Sequence, residues 1–159
     1  MEVNIKMNKV FEDYFSDLQA DMVSICLEDV EDRAEKIYIY ASCEGSRIEC
    51  YYFFKVNGKI VHKEQLNNVI LESEETYDVS PERKDMVLSI LNEDMQKIKE
   101  LCIRYKQDIP TEIRLVYDVE KNSLKGQYCY ELIYTKENLK TRYDTINEWM
   151  NELKQMEEK

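Results

Sequence analysis

Three glycines, two prolines and one histidine leave this 159-residue chain short of the residues on which most site chemistry is built. So little glycine leaves room for neither a GxGxxG dinucleotide turn nor a GxxxxGK[ST] phosphate loop, and neither is present. An EF-hand is excluded because no acidic ladder surrounds a central glycine. His62, the single histidine, has no second imidazole to share a zinc ion and reads as a structural or exposed residue near a strand end. Nucleophilic triads lack a partnered base for the same reason. No apolar run approaches the roughly 20 residues that span a bilayer. The opening MEVNIKMNKV carries charge where a secretory signal would be apolar. The five cysteines are odd in number and never spaced CxxC, which suits reduced thiols in a cytoplasm. Cys26, Cys102 and Cys129 sit in apolar or aromatic stretches and read as small buried hydrophobes. No catalytic residue, metal ligand or cofactor site is expected.

Acid is what the chain has in excess. There are 33 Asp and Glu against 22 Lys and Arg, a net charge of -11 and a pI near 4.7. Such a field repels nucleic acid and anionic membranes and speeds encounter with basic surfaces. The densest basic stretches, Lys97/Lys99/Arg104/Lys106 and Lys136/Lys140/Arg142, are interleaved with acids, so no basic face for direct DNA or RNA binding is expected. A 43% hydrophobic share is too rich for a disordered acidic tail. The length suits one domain, residues 1–159. Carboxylates such as Glu49, Asp78, Asp118 and Glu131 are too numerous for spacing to select an acid/base pair.

The acids are clustered within residues 12–35 and 72–78. An irregular acidic segment with an aromatic makes a docking loop, so Glu72, Glu74, Glu75, Tyr77 and Asp78 are the first candidates for partner contact. Glu28, Asp29, Glu31 and Asp32, in a charged connector, are the second group.

Periodicity gives the elements. Met7, Val10, Phe11, Tyr14, Phe15, Leu18, Met22, Ile25 and Cys26 recur every three or four residues, a helix over about 4–27. From Ile37 the period falls to two. Gly45-Ser46 suits a hairpin turn that places Cys43 opposite Ile48 and Ala41 opposite Cys50. Asn57-Gly58 returns a third strand through Lys59–His62, and residues 63–79 read as irregular. Ser80-Pro81-Glu82 starts a helix that runs to about 106, with Asp94 interrupting its stripe. Ile113–Val119 reads as a strand, Asn122–Gly126 as a turn, and Tyr128, Tyr130, Leu132 and Tyr134 as the returning strand. A last helix begins near Glu137, with Leu139, Tyr143, Ile146, Trp149 and Met150 on its stripe and a frayed tail. The order α-β-β-β-α-β-β-α describes an α+β fold, an antiparallel sheet of about five strands packed by three helices.

Eight of the twelve tyrosines fall in these strands (Tyr38, Tyr40, Tyr51, Tyr52, Tyr117, Tyr128, Tyr130 and Tyr134), and tyrosine is enriched at recognition surfaces. The stretch Glu35–Ala41 (EKIYIYA) resembles the first strand of the YezG-like immunity proteins, antitoxins that neutralise secreted bacterial nucleases. The long helix Pro81–Lys106 after an acidic linker and the stretch Lys125–Glu131 (KGQYCYE) are similar to further parts of that family's pattern, over about residues 5–150. Ala34 and Thr111-Glu112 depart from it, where the family often has aromatics. The resemblance implies a bacterial cytoplasmic protein that binds a cognate toxin, a basic nuclease domain, through an acidic and tyrosine-rich surface, without cofactor and without catalysis. The alternative is a non-catalytic interaction module or homo-oligomeric scaffold with no toxin partner.

Overall fold

The computed structural model describes residues 2–134 and 140–157, with side chains from Val10 onward. The alternating segment folds as its pattern requires. β1 (Lys36–Glu44) and β2 (Arg47–Val56) pair antiparallel, with Cys43 opposite Ile48 and Ala41 opposite Cys50. At the next turn Asn57 and Gly58 have φ of 50° and 79°, the left-handed pair that a tight hairpin needs, and β3 (Lys59–His62) returns alongside β2. β4 (Glu112–Asp118) joins the other side of β1, and β5 (Ser123–Cys129) joins β4. The sheet order is therefore β3-β2-β1-β4-β5.

The two-residue period divides the sheet into two cores. Ile37, Ile39, Ala41, Tyr52, Phe54, Ile113 and Leu115 are buried on one face beneath α1 (Glu2–Asp29) and α2 (Pro81–Arg104). Tyr38, Tyr40 and Phe53 are buried on the other beneath α3 (Arg142–Glu157), which contributes Ile146, Trp149 and Met150. Tyr38 stacks on Phe53 at 4.8 Å between centroids, and Trp149 meets both rings edge-on. Large side chains buried this way contribute about 2–3 kcal/mol apiece. α2 starts where its signals place it: the Ser80 hydroxyl accepts the Arg83 N–H at 3.3 Å, with Pro81 in the first turn.

Four segments differ from the sequence expectation. Lys63–Asn68 is a 3-10 helix rather than irregular chain. The second hairpin turns at residues 119–122, so Ser123–Gly126 is already strand, and the strand ends at Cys129. Tyr130, Leu132 and Tyr134 lie beyond it because side chains take over the ladder's role. The Thr111 hydroxyl donates to the Glu131 carbonyl at 2.7 Å, and Glu44 accepts the N–H groups of Ile133 and Tyr134. α3 begins at Arg142 because Thr141 and Asp144 exchange capping hydrogen bonds. The expected start near Glu137, with Leu139, lies outside the described residues, as do the Met7 side chain and the last two residues of the tail. Finally, Val10 and Tyr14 are exposed although they lie on the apolar stripe of α1. A 28-residue helix extends about 42 Å and outruns strands of about 30 Å, which leaves Val10 and Tyr14 only partly covered.

Asp94 is the polar interruption in α2, and it is buried at 3% exposure facing Asp21 of α1. Burial, reinforced by the hydrogen bond and charge of Asp21, pushes its carboxyl up to about 7. The unfolded carboxyl titrates near 3.9, so the native state binds the extra proton between about pH 4 and 7. Stability from this group is fullest below that window and is lost as pH rises through it. Urea unfolding of the wild type should show a falling midpoint from pH 5 to pH 8, and Asp94→Asn should flatten that fall. An unchanged slope in the variant would remove this carboxyl as its source.

Candidate functional site

The end of α1 sets the first wall of the candidate site. Residues 30–32 close the helix through hydrogen bonds from Val30 N–H to the Cys26 carbonyl and from Asp32 N–H to the Leu27 carbonyl. Glu31 and Asp32 adopt φ of 56° and 58°. Two consecutive non-glycine residues in the left-handed region cost roughly 1–2 kcal/mol each. Both side chains are exposed.

Arg33 then joins this wall to the distant loop between the 3-10 helix and α2. Its guanidinium donates to the Glu75 carbonyl at 2.8 Å, lies 3.5 Å from Glu74 and 3.6 Å from Glu31, and stacks 3.8 Å above the Tyr77 ring. The loop is braced from within. Asn57 donates to the Val69 carbonyl and to Glu74, Glu74 accepts the Leu71 N–H, and Asn67 both donates to and accepts from the Tyr77 backbone. Hydrogen bonds from Leu71 and then Asn57 hold the Glu74 carboxyl below its ordinary range, and those from Ser80 do the same for Asp78. Two acidic runs some forty residues apart in sequence thus form one face, on which Glu28, Glu31, Asp32, Glu72, Glu75 and Asp78 are exposed.

Three sequence candidates are not among the exposed carboxylates of that face. Asp29 is 2% exposed and serves as the internal counter-ion. One carboxylate oxygen accepts Lys63 Nζ at 2.7 Å and Arg83 Nε at 2.8 Å, and the other accepts the Tyr52 hydroxyl at 3.0 Å. Tyr77 is 4% exposed beneath Arg33. Glu74 is half-buried and committed to bracing the loop. The strand tyrosines are corrected as well: Tyr38, Tyr40 and Tyr52 are core residues, while Tyr14, Tyr128, Tyr130 and Tyr143 are exposed. Charge clustering located the acids but said nothing about their organisers. Nothing in the local pattern marks Arg33, Arg83 or Lys63 as organising residues, and Asn57 reads only as a turn residue.

A second polar cluster lines a cavity of about 330 Å³ between β2, α2 and α3. There the Tyr51 hydroxyl and His62 Nδ1 lie 2.7 Å apart, Arg142 pairs with Glu49 at 3.1 Å, and Lys84 pairs with Glu64. Burial lowers His62 and pushes the Cys50 thiol up to about 12, so the thiol stays protonated and unreactive. The charges here neutralise one another in pairs, and no activated nucleophile stands beside a base. Among the described residues no group of three or more His, Cys, Asp or Glu is placed to hold a metal ion. No helix among them is long and apolar enough to cross a membrane.

Removing one partner of a buried ion pair leaves a charge without compensation, at about 3–5 kcal/mol. Asp29→Ala should therefore lower urea stability by about that amount, whereas Lys63→Met should cost less, because Asp29 keeps Arg83 and Tyr52. Equal losses in the two variants would contradict the central role of the carboxylate. No protein-family model matches the chain and no curated protein matches it.

Proposed function

We propose that this protein is an immunity protein that binds a cognate bacterial toxin, a nuclease with a basic cleft, through its acidic face. The observation that carries this reading is the convergence of two separate acidic runs on one face, with the neighbouring arginines turned inward. A nuclease cleft is built to attract phosphates, and a rigid array of carboxylates competes for the same field while accelerating association. Glu31 and Asp32 support the same role. They retain carboxylates at positions where glycine is more stable, and backbone strain of this kind collects at functional sites. The reading places the protein in the cytoplasm of the toxin-producing cell and requires no cofactor and no catalytic step. It agrees with the family resemblance of β1, α2 and the Lys125–Glu131 segment.

The direct test is co-elution of the purified protein with the toxin domain encoded beside its gene, at low and moderate salt. Reversal of Glu72, Glu75 and Asp78 to lysine should slow association by about 10–100-fold while leaving the circular dichroism spectrum unchanged. Failure of the wild-type pair to co-elute at either salt would sink the proposal. Glu31→Gly should separate strain from charge, raising thermal stability by about 0.5–1 kcal/mol while weakening toxin binding. A variant that gains stability and binds as before would take Glu31 out of the interface.

A further inference from the structure

We propose that two copies of this chain pair through β5, extending the five-stranded sheet into a continuous ten-stranded one. β5 is the last strand of the sheet on its side, and five of its seven residues are exposed. The direction of its backbone follows from β4. Val119 N–H donates to the Glu35 carbonyl and Cys43 N–H to the Thr111 carbonyl, so the odd-numbered residues of β4 bond β1 and the even-numbered ones bond β5. Their partners in β5 are Ser123, Lys125, Gln127 and Cys129. Leu124, Gly126 and Tyr128 therefore turn their N–H and C=O groups outward, away from the sheet. No hydrogen bond among the described residues engages those groups.

Exposed edges are ordinarily blocked by charge, proline or a covering element. This edge has one lysine, no acid and no proline, in a chain of net charge -11. Acid is absent from the strand itself, and Glu152 and Glu157 beside it share their pocket with Lys36, Arg114 and Lys125, so repulsion between two copies is weak here, which favours a second copy over a basic partner strand. The sequence is also self-complementary about Gly126. Antiparallel pairing centred there sets Gly126 against itself, Leu124 against Tyr128 of the second copy, Lys125 against Gln127, and Ser123 against Cys129. Leu124 and Tyr128 are 37% and 39% exposed and would be covered on the α1 side. Lys125 meets an amide rather than another cation. Tyr128 already occupies the space over Gly126, where an added Cβ would meet its hydroxyl at 2.3 Å, so the pairing centre presents backbone and a flat ring.

Sedimentation velocity on the full chain should show a monomer–dimer equilibrium that tightens at high salt, as the repulsion between two acidic chains is screened. The toxin complex should weaken under the same change, so the two proposals fail independently. The Lys125–Gln127 pair occurs twice in the dimer. Gln127→Glu should therefore tighten dimerisation about fivefold and Gln127→Lys should weaken it to a similar degree. Mild oxidation of Ser123→Cys should trap a covalent dimer through Cys129 of the second copy, because that pair faces across a close, non-hydrogen-bonded position. Wild type should give no such band on a non-reducing gel. A monomer at every concentration and salt would overturn the proposal. So would a dimer indifferent to both Gln127 variants and not trapped by Ser123→Cys, or a β5 edge that pairs only with a toxin strand.

Discussion

A single buried carboxylate organises this molecule. Asp29 draws together the last turn of α1, the middle of β2 through Tyr52, the 3-10 helix through Lys63, and the first turn of α2 through Arg83. Removing a charge from water costs several kcal/mol, so the arrangement survives only because three donors meet the carboxylate at once. That requirement fixes where α2 begins relative to where α1 ends. The intervening loop is then held across Arg33, and the acidic face takes its shape from that constraint.

The distribution of charge follows a consistent physical rule. Cations near the acidic face point inward to carbonyls, to Asp29 or to an aromatic ring, while the outer carboxylates face water. Strong like-sign repulsion among exposed acids is tolerated because solvent screens it. Where an acid is buried against another, as Asp94 is against Asp21, the molecule responds instead by retaining a proton. The same excess of acid would oppose self-association everywhere except along an edge that carries none. In the two proposals the acid-rich face serves a basic partner and the acid-free edge a second copy.

Much of the fold could be read from periodicity. The register of β1 and β2, the Asn57-Gly58 turn and the start of α2 all follow from short-range rules about faces, turns and caps. The misreadings share one cause. Tyr130–Tyr134 alternates like a strand, but Thr111 and Glu44, distant in sequence, supply its hydrogen bonds and end the ladder early. Lys63 looks like a surface cation until Asp29 is placed beside it. Aromatic density in the strands suggested a recognition surface, yet Tyr38, Tyr40 and Tyr52 are buried because helices cover both faces of the sheet.

By itself, the sequence determined which residues share a face, where helices start, and that acids would gather in two runs. Those features depend on steric periods of two and 3.6 and on hydrogen bonds reaching only a few residues. Only the tertiary structure decided that the two runs become one surface, that Asp29 and Tyr77 turn inward, and that β5 is the last strand of its sheet, unpaired on its outer side among the described residues. Each of these depends on contacts between segments far apart in the chain, where charge compensation and burial select one partner among many that local pattern leaves equivalent.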